Sequence, residues 1–152
     1  MTDHSPPITV RRASEHDGAT LVPLFGAYRE FYRQRADPRA EREYLAERIS
    51  RNEAVVFLAE RSGEALGFTL LYPSFSSISL RPIWVLNDLY VRPAERRTGV
   101  GARLLRHAVE FARENGAEYL TLETAKDNPA QRLYEAEGWR RDEEFLHYER
   151  RT

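Results

Sequence analysis

Cysteine is absent from the 152 residues, which removes disulfides, thiolate metal sites and a cysteine nucleophile from consideration. Lysine is nearly absent as well: Lys126 is the only one, and arginine carries the remaining positive charge. Neither sign of charge is in excess, since the formal net charge is −1, so no footprint for nucleic acid or an anionic membrane is expected. No apolar run approaches the ~20 residues of a membrane span, and Met1 to Pro7 lacks a signal-peptide core. A cytoplasmic protein is therefore expected. The four histidines, His4, His16, His107 and His147, have no metal-ligand spacing, and no metal is expected.

What is present is globular in character, with 41% hydrophobic and 31% charged residues. The length suits one compact core. Residues 1–7 are polar and proline-ended and read as a flexible terminus; residues 8–152 read as a single domain. Ile8 to Arg12 alternates as a short strand, after which Ser14 or Asp17 is placed to cap a helix. That helix carries Leu21, Leu24, Phe25, Tyr28, Phe31 and Tyr32 at three- and four-residue steps. Asp37-Pro38 opens a second helix reaching about Ile49.

Ala54 to Glu60 and Leu66 to Tyr72 read as a hairpin about Ser62-Gly63-Glu64, and serine-rich Pro73 to Arg81 as a loop. Ile83 to Val91 is the next strand. From Gly99 to about Asn115 the residues Val100, Leu104, Leu105, Ala108, Phe111 and Ala112 form a helical stripe, ended by Asn115-Gly116. Tyr119 to Glu123 reads as a strand and Asn128 to Glu137 as a short helix. Trp139 and Phe145 to Tyr148 read as final strands. The order β-α-α-β-β-β-α-β-α-β-β favours an α/β domain, a mixed sheet with helices on both faces.

The chemistry concentrates between Leu86 and Gly101. A strand ends in Leu89-Tyr90-Val91, and a loop containing Arg96, Arg97 and Thr98 leads to Gly99-Val100-Gly101-Ala102 at a helix start. Unpaired amides there, with the positive dipole end, suit an anion, and glycine lets a phosphate approach the main chain. No Gly-Lys-Ser/Thr follows, and Leu104 stands where a dinucleotide fingerprint needs its third glycine. A bare Gly-x-Gly is equally a tight strand-to-helix turn.

Arg96-x-x-Gly99-x-Gly101 after Leu89-Tyr90-Val91-x-Pro93 resembles the acetyl-CoA motif of the GNAT N-acetyltransferase superfamily. Asn128-Pro129-Ala130-x-x-Leu133-Tyr134-x-x-x-Gly138-Trp139 resembles its second signature, and the order of elements agrees along nearly the whole chain. Within that superfamily, Leu86 to Val91 and Asn128 to Tyr134 look most like the diamine and fungal histone/polyamine acetyltransferases. The resemblance implies a mostly antiparallel sheet and acetyl-CoA as cosubstrate. Its pyrophosphate would lie on the amides of about Arg97 to Ala102, and its arm along Leu89, Tyr90 and Val91. An amide near Leu89 would polarise the thioester carbonyl. Asn128 would bond the arm, and Tyr134 would protonate the departing thiolate. With a thiol near 8.5 and a tyrosine near 10, that transfer is uphill by about 2 kcal/mol. Tyr134 also shares a helix face with Ala130 and Leu133, which is the pattern of a core residue.

An amine nucleophile must lose a proton. The diamine enzymes place a glutamate where this chain has Asn87, which cannot serve as a base. Asp88 and Glu123 are the candidates. Asp88 equally suits an arginine partner or a turn, and Glu123 a solvated strand end. Tyr28, Glu30, Tyr32 and Trp84 are candidate acceptor contacts, and the aromatic ones equally fit ordinary packing. The two N-terminal helices and the Pro73 to Arg81 loop should select the acceptor. A small primary amine is expected, such as a polyamine or amino acid. Protein or aminoacyl-tRNA acetylation, and a non-catalytic acyl-CoA-binding module, are the rival readings. The family's habit implies a homodimer.

Overall fold

The computed structural model describes residues 4–152; Met1 to Asp3, part of the terminus read as flexible, lie outside the described residues. In chain order come β1 (Thr9–Arg12), α1 (Gly18–Phe31), α2 (Pro38–Ser50), β2 (Val55–Arg61), β3 (Glu64–Ser76) and β4 (Arg81–Val91). Then follow α3 (Val100–Glu114), β5 (Leu120–Thr121) and α4 (Gln131–Ala136). Both cap candidates at the first helix are used. Ser14 and Asp17 satisfy each other across a 3₁₀ turn, Glu15–Asp17, which runs directly into α1. Asp37 accepts from the Ala40 amide at 3.1 Å and Pro38 takes the first turn of α2.

The sheet order is β1-β2-β3-β4-β5, antiparallel through β4 and parallel between β4 and β5. Strand alternation gives each face its own core. On one side Leu21, Leu24 and Phe25 of α1 and Leu45 of α2 pack on Val56, Leu58, Phe68 and Leu70. On the other, Val100, Leu104, Leu105 and Ala108 of α3 pack on Val55, Phe57, Leu71 and Leu86. Each fully buried leucine here contributes roughly 1.5–3 kcal/mol.

Two features depart from the sequence reading. Pro73 to Arg81 is not a loop: β3 runs to Ser76 and β4 starts at Arg81, leaving only a four-residue turn. Pro73 is tolerated because β2 stops pairing at Val55, opposite Leu71, so no strand on that side needs its missing N–H. At the other end, residues 139–152 form neither of the two final strands. Arg140 to Glu144 is a charged run, and the Asp142 carboxylate accepts the amides of Glu144 and Phe145 at 2.9 and 3.3 Å. That local turn competes with a ladder. It leaves Phe145, Leu146 and Tyr148 exposed.

Candidate active site

The β3–β4 ladder contains one irregularity. Leu70 opposes Asp88 and Leu71 opposes Leu86, so Asn87 is an extra residue on β4, a β-bulge. It reverses the alternation of the strand. Before it, Trp84 and Leu86 face α3; after it, Leu89 and Val91 do. Tyr90 consequently turns to the α1–α2 side, and Asp88 lines a cavity between that face and the two helices.

This cavity, about 480 Å³, is walled by Phe25, Tyr28, Tyr32, Tyr44 and Tyr72. Asp88 is 3% exposed. Asn87 Nδ2 donates to its Oδ1 at 2.8 Å, and the Tyr28 hydroxyl reaches the Asn87 carbonyl at 3.2 Å. Burial pushes the Asp88 carboxyl from 3.8 up to about 6, against the smaller downward pull of the Asn87 amide and the nearby Tyr28 hydroxyl, whose proton points to the Asn87 carbonyl. A carboxylate so placed is ionised at neutral pH and basic enough to accept a proton. Burial also raises Tyr28 and Tyr72, so both hydroxyls stay protonated donors.

Charge elsewhere in the lining is unequal. Asp37, Glu41 and Asp88 face a single guanidinium, Arg29. Arg29 is already spent on Glu41 at 3.0 Å, and Glu41, 3% exposed, also accepts the Asp37 amide.

On the opposite side of β4 lies an opening. β4 and β5 pair only at Trp84–Leu120 and Val85–Thr121; downstream, Leu86 to Val91 have no strand on that edge among the described residues. Just beyond, Arg96 Nε donates to the Val91 carbonyl at 3.1 Å, and its guanidinium lies 5.9 Å from the Tyr90 ring centre. Arg97 and Gly99 both take positive φ, 63° and 93°. The chain so bent enters α3 with the amides of Val100, Gly101 and Ala102 in its first turn, where no carbonyl one turn earlier accepts them. Gly101 has a second duty. A Cβ there would stand 2.8 Å from Leu133 Cδ2, so the missing side chain lets α4 close against the turn. Free strand edge, helix-start amides and two arginines together suit an extended chain that carries an anionic group such as a phosphate.

Tyr134 on α4 packs with the α3-side core, its ring 6.3 Å from Trp139. Burial first, then proximity to Tyr32, pushes its hydroxyl up to about 12. Protonating a thiolate from it is therefore uphill by about 5 kcal/mol before any stabilisation by the site, more than the unperturbed 2. Asn128 Oδ1 accepts the Ala130 amide at 2.9 Å, which leaves its NH₂ as the group able to reach a ligand.

Other candidates are not brought together. Glu123 is absent from the cavity wall, its side chain 75% exposed and 3.1 Å from His147 Nδ1. Glu30 is exposed outside the lining, and Trp84 packs on Phe111 at 5.0 Å on the α3 side. The 73–81 segment contributes nothing to the wall. Sequence reasoning missed Tyr44, Tyr72, Asp37 and Glu41. Tyr44 has one local signal, its place one turn before the Arg48 that stacks on it at 5.5 Å.

Residues 21–139 match the model of the acetyltransferase (GNAT) family. The chain belongs to the GNAT family. This GNAT protein is 46% identical over 142 residues to an uncharacterized N-acetyltransferase, YhfO, of Bacillus subtilis (strain 168), covering 93% of this chain and 95% of that one. It is 30% identical over 139 residues to an aminoalkylphosphonate N-acetyltransferase of Salmonella typhimurium (strain LT2), covering 91% and 88%. A crystal structure of a probable acetyltransferase superposes with a TM-score of 0.89 at 42% identity, covering 95% of this chain and 97% of that one. The protein is an N-acetyltransferase that uses acetyl-CoA.

Proposed function

We propose that the protein moves an acetyl group to the primary amine of a small molecule, bound as an ammonium in the tyrosine-walled cavity. The observation that carries this is Asp88, buried and turned by the Asn87 bulge into that cavity while the same strand keeps an open edge opposite. Acetyl-CoA supplies an activated acetyl thioester. Asp88 takes the amine's proton, directly or through a water, so that a neutral nitrogen faces the open edge of β4. The Asn87 amide, itself held by the Tyr28 hydroxyl through the Asn87 carbonyl, favours the ionised carboxylate. The first-turn amides of α3, with Arg96 and Arg97, bind the pyrophosphate, and Leu89, Tyr90 and Val91 line the arm. The NH₂ of Asn128 bonds that arm, and the Tyr134 hydroxyl returns a proton to the sulfur.

The cavity volume supports a small acceptor over a protein or tRNA. Its lining supports a cationic amine without an anionic group: tyrosine faces and two carboxylates suit ammonium, and Arg29 is not free to anchor an anion. The likeness to the diamine branch stops short at Asn87, where those enzymes carry glutamate. Residues 8–152 act as one domain, in the cytoplasm, and pair as a homodimer, for which the exposed Phe145, Leu146 and Tyr148 offer apolar surface.

Thiol release from acetyl-CoA tests the reading across 1,4-diaminobutane, butylamine, 4-aminobutanoate and 3-aminopropylphosphonate. The diamine is expected to lead and the two anionic amines to trail, with Tyr134→Phe about tenfold or more slower. Thermal stabilisation by acetyl-CoA without turnover of any amine would support the binding-module reading instead.

A further inference from the structure

Thr69 is the one hydroxyl in an otherwise apolar stretch of β3, Leu66 to Leu71, and it is 0% exposed. Its neighbours there, Phe68, Leu70 and Leu71, belong to the two cores. Valine would fill the same volume and suit a central strand better. A hydroxyl at such a place costs desolvation unless it is bonded. Its partner is specific: Thr69 Oγ1 donates to the main-chain carbonyl of Asp88 at 2.8 Å.

That carbonyl lies at the point where the ladder skips from Leu70–Asp88 to Leu71–Leu86. A bulge disrupts ladder bonding locally, and a buried main-chain group without a partner is strongly disfavoured. The hydroxyl therefore stabilises the bulged arrangement over a regular one. In a regular ladder Asp88 would follow Trp84 and Leu86 to the α3 face, away from the amine cavity.

We propose that Thr69 is a positioning residue: its hydroxyl pins the Asn87 bulge and so aims the Asp88 carboxylate at the acceptor amine. This rests on the proposed role of Asp88. Thr69 itself touches neither substrate. Its effect passes through one carbonyl to the carboxyl on the same residue, and through the tyrosine–asparagine clamp of Tyr28 and Asn87 that depends on that backbone position.

Thr69→Val keeps the shape and removes the bond; Thr69→Ser keeps the bond and removes a methyl. The two variants are compared with Asp88→Asn by amine kcat/KM over pH 5 to 9, with acetyl-CoA KM measured alongside. The expected result for Thr69→Val is a loss of about tenfold or more in amine kcat/KM, as misplacement of a reacting group produces. The rising limb of its pH profile, set near 6 by Asp88, should move toward higher pH as the carboxyl loses the Asn87 amide and turns toward the apolar α3 face. Acetyl-CoA KM should change by less than about threefold, because the helix-start amides of α3 proposed to hold its pyrophosphate do not depend on the bulge. Thr69→Ser should recover the wild-type profile. A valine variant with the wild-type rate and pH midpoint overturns the proposal, as does one that loses thermal stability alone. A serine variant that fails to recover overturns it too. If Asp88→Asn keeps the wild-type rate, the catalytic reading of Asp88 falls and this proposal with it. If Asp88→Asn is slow while Thr69→Val is not, only the role of Thr69 is refuted.

Discussion

In Asp88→Asn a buried carboxyl becomes an amide of nearly the same shape that cannot ionise. The wild-type carboxyl is raised from 3.8 to about 6 in the fold, so the folded state holds that proton more tightly than the unfolded chain does. Well below pH 4 both states are protonated and Asp88 costs nothing. As pH rises from there through 6, the folded carboxyl must ionise where it is poorly hydrated, and stability is lost. The loss levels off near pH 7 at about 3 kcal/mol. The asparagine variant escapes it. For a domain of this size the difference corresponds to a melting temperature roughly 6–12 °C higher at pH 7 to 8, reduced by whatever the new amide loses in hydrogen bonding. About half of the penalty is already present at pH 5, so the gap between variant and wild type should widen by roughly 1.5 kcal/mol from pH 5 to pH 8. Thermal melts followed by circular dichroism across that range measure it directly. The same variant should lose amine turnover, so stability and activity move in opposite directions. A gap that stays constant with pH, or narrows as pH rises, would refute the account of Asp88 as a carboxyl held ionised against its burial.

Further outcomes follow from the neighbouring contacts. Gly101→Ala places a methyl 2.8 Å from Leu133 Cδ2, so α4 must shift. Overpacking of about 1–3 kcal/mol should appear in the melting temperature, with weaker thermal stabilisation by acetyl-CoA. Removing the Glu41 charge as Glu41→Gln weakens its charge-assisted bond with the partly exposed Arg29 and should cost about 1–3 kcal/mol. Equal melting points for that variant and wild type would show that the α1–α2 packing does not depend on the pair. Tyr134→Phe should slow turnover while leaving acetyl-CoA stabilisation intact, and the wild-type rate should not fall up to pH 10, because its hydroxyl titrates only near 12.

The parts legible in the sequence are those governed by local chemistry. The α3 stripe, the glycine turn and the Asp37-Pro38 helix start follow from period and capping within a few residues. Asp88 was legible as a carboxylate of interest, but its direction was not. Strict alternation ties it to the face of Leu86, and only the skipped register at Asn87 turns it round. That skip depends on β3, some twenty residues away, and no local pattern announces it. Tyr44 and Tyr72 likewise meet only once α2 lies over β3, where their hydroxyls bond each other. Glu123 and Trp84 were attractive for their positions near strand ends and centres, yet burial depends on which face each strand presents. Trp139 and Phe145 to Tyr148 read as closing strands from an apolar character that is real, while the Asp142 turn between them directs the chain elsewhere.

The short parallel contact between β4 and β5 divides the sheet mechanically. Four strands are stitched by antiparallel ladders, whereas β5 joins β4 through two residue pairs and the main-chain bonds just before it, and α4 is tied to α3 by the Arg106–Glu137 ion pair and side-chain packing. Amide exchange should therefore report two cooperative units of unequal stability, with the segment after Tyr119 opening first. On the proposed reading, a cofactor in the cleft bonds to both lips and would act as a rivet between the units. Its affinity then measures the stiffness of the joint as well as the contacts it makes. Substitutions that loosen β5 should weaken binding from positions that never touch the ligand.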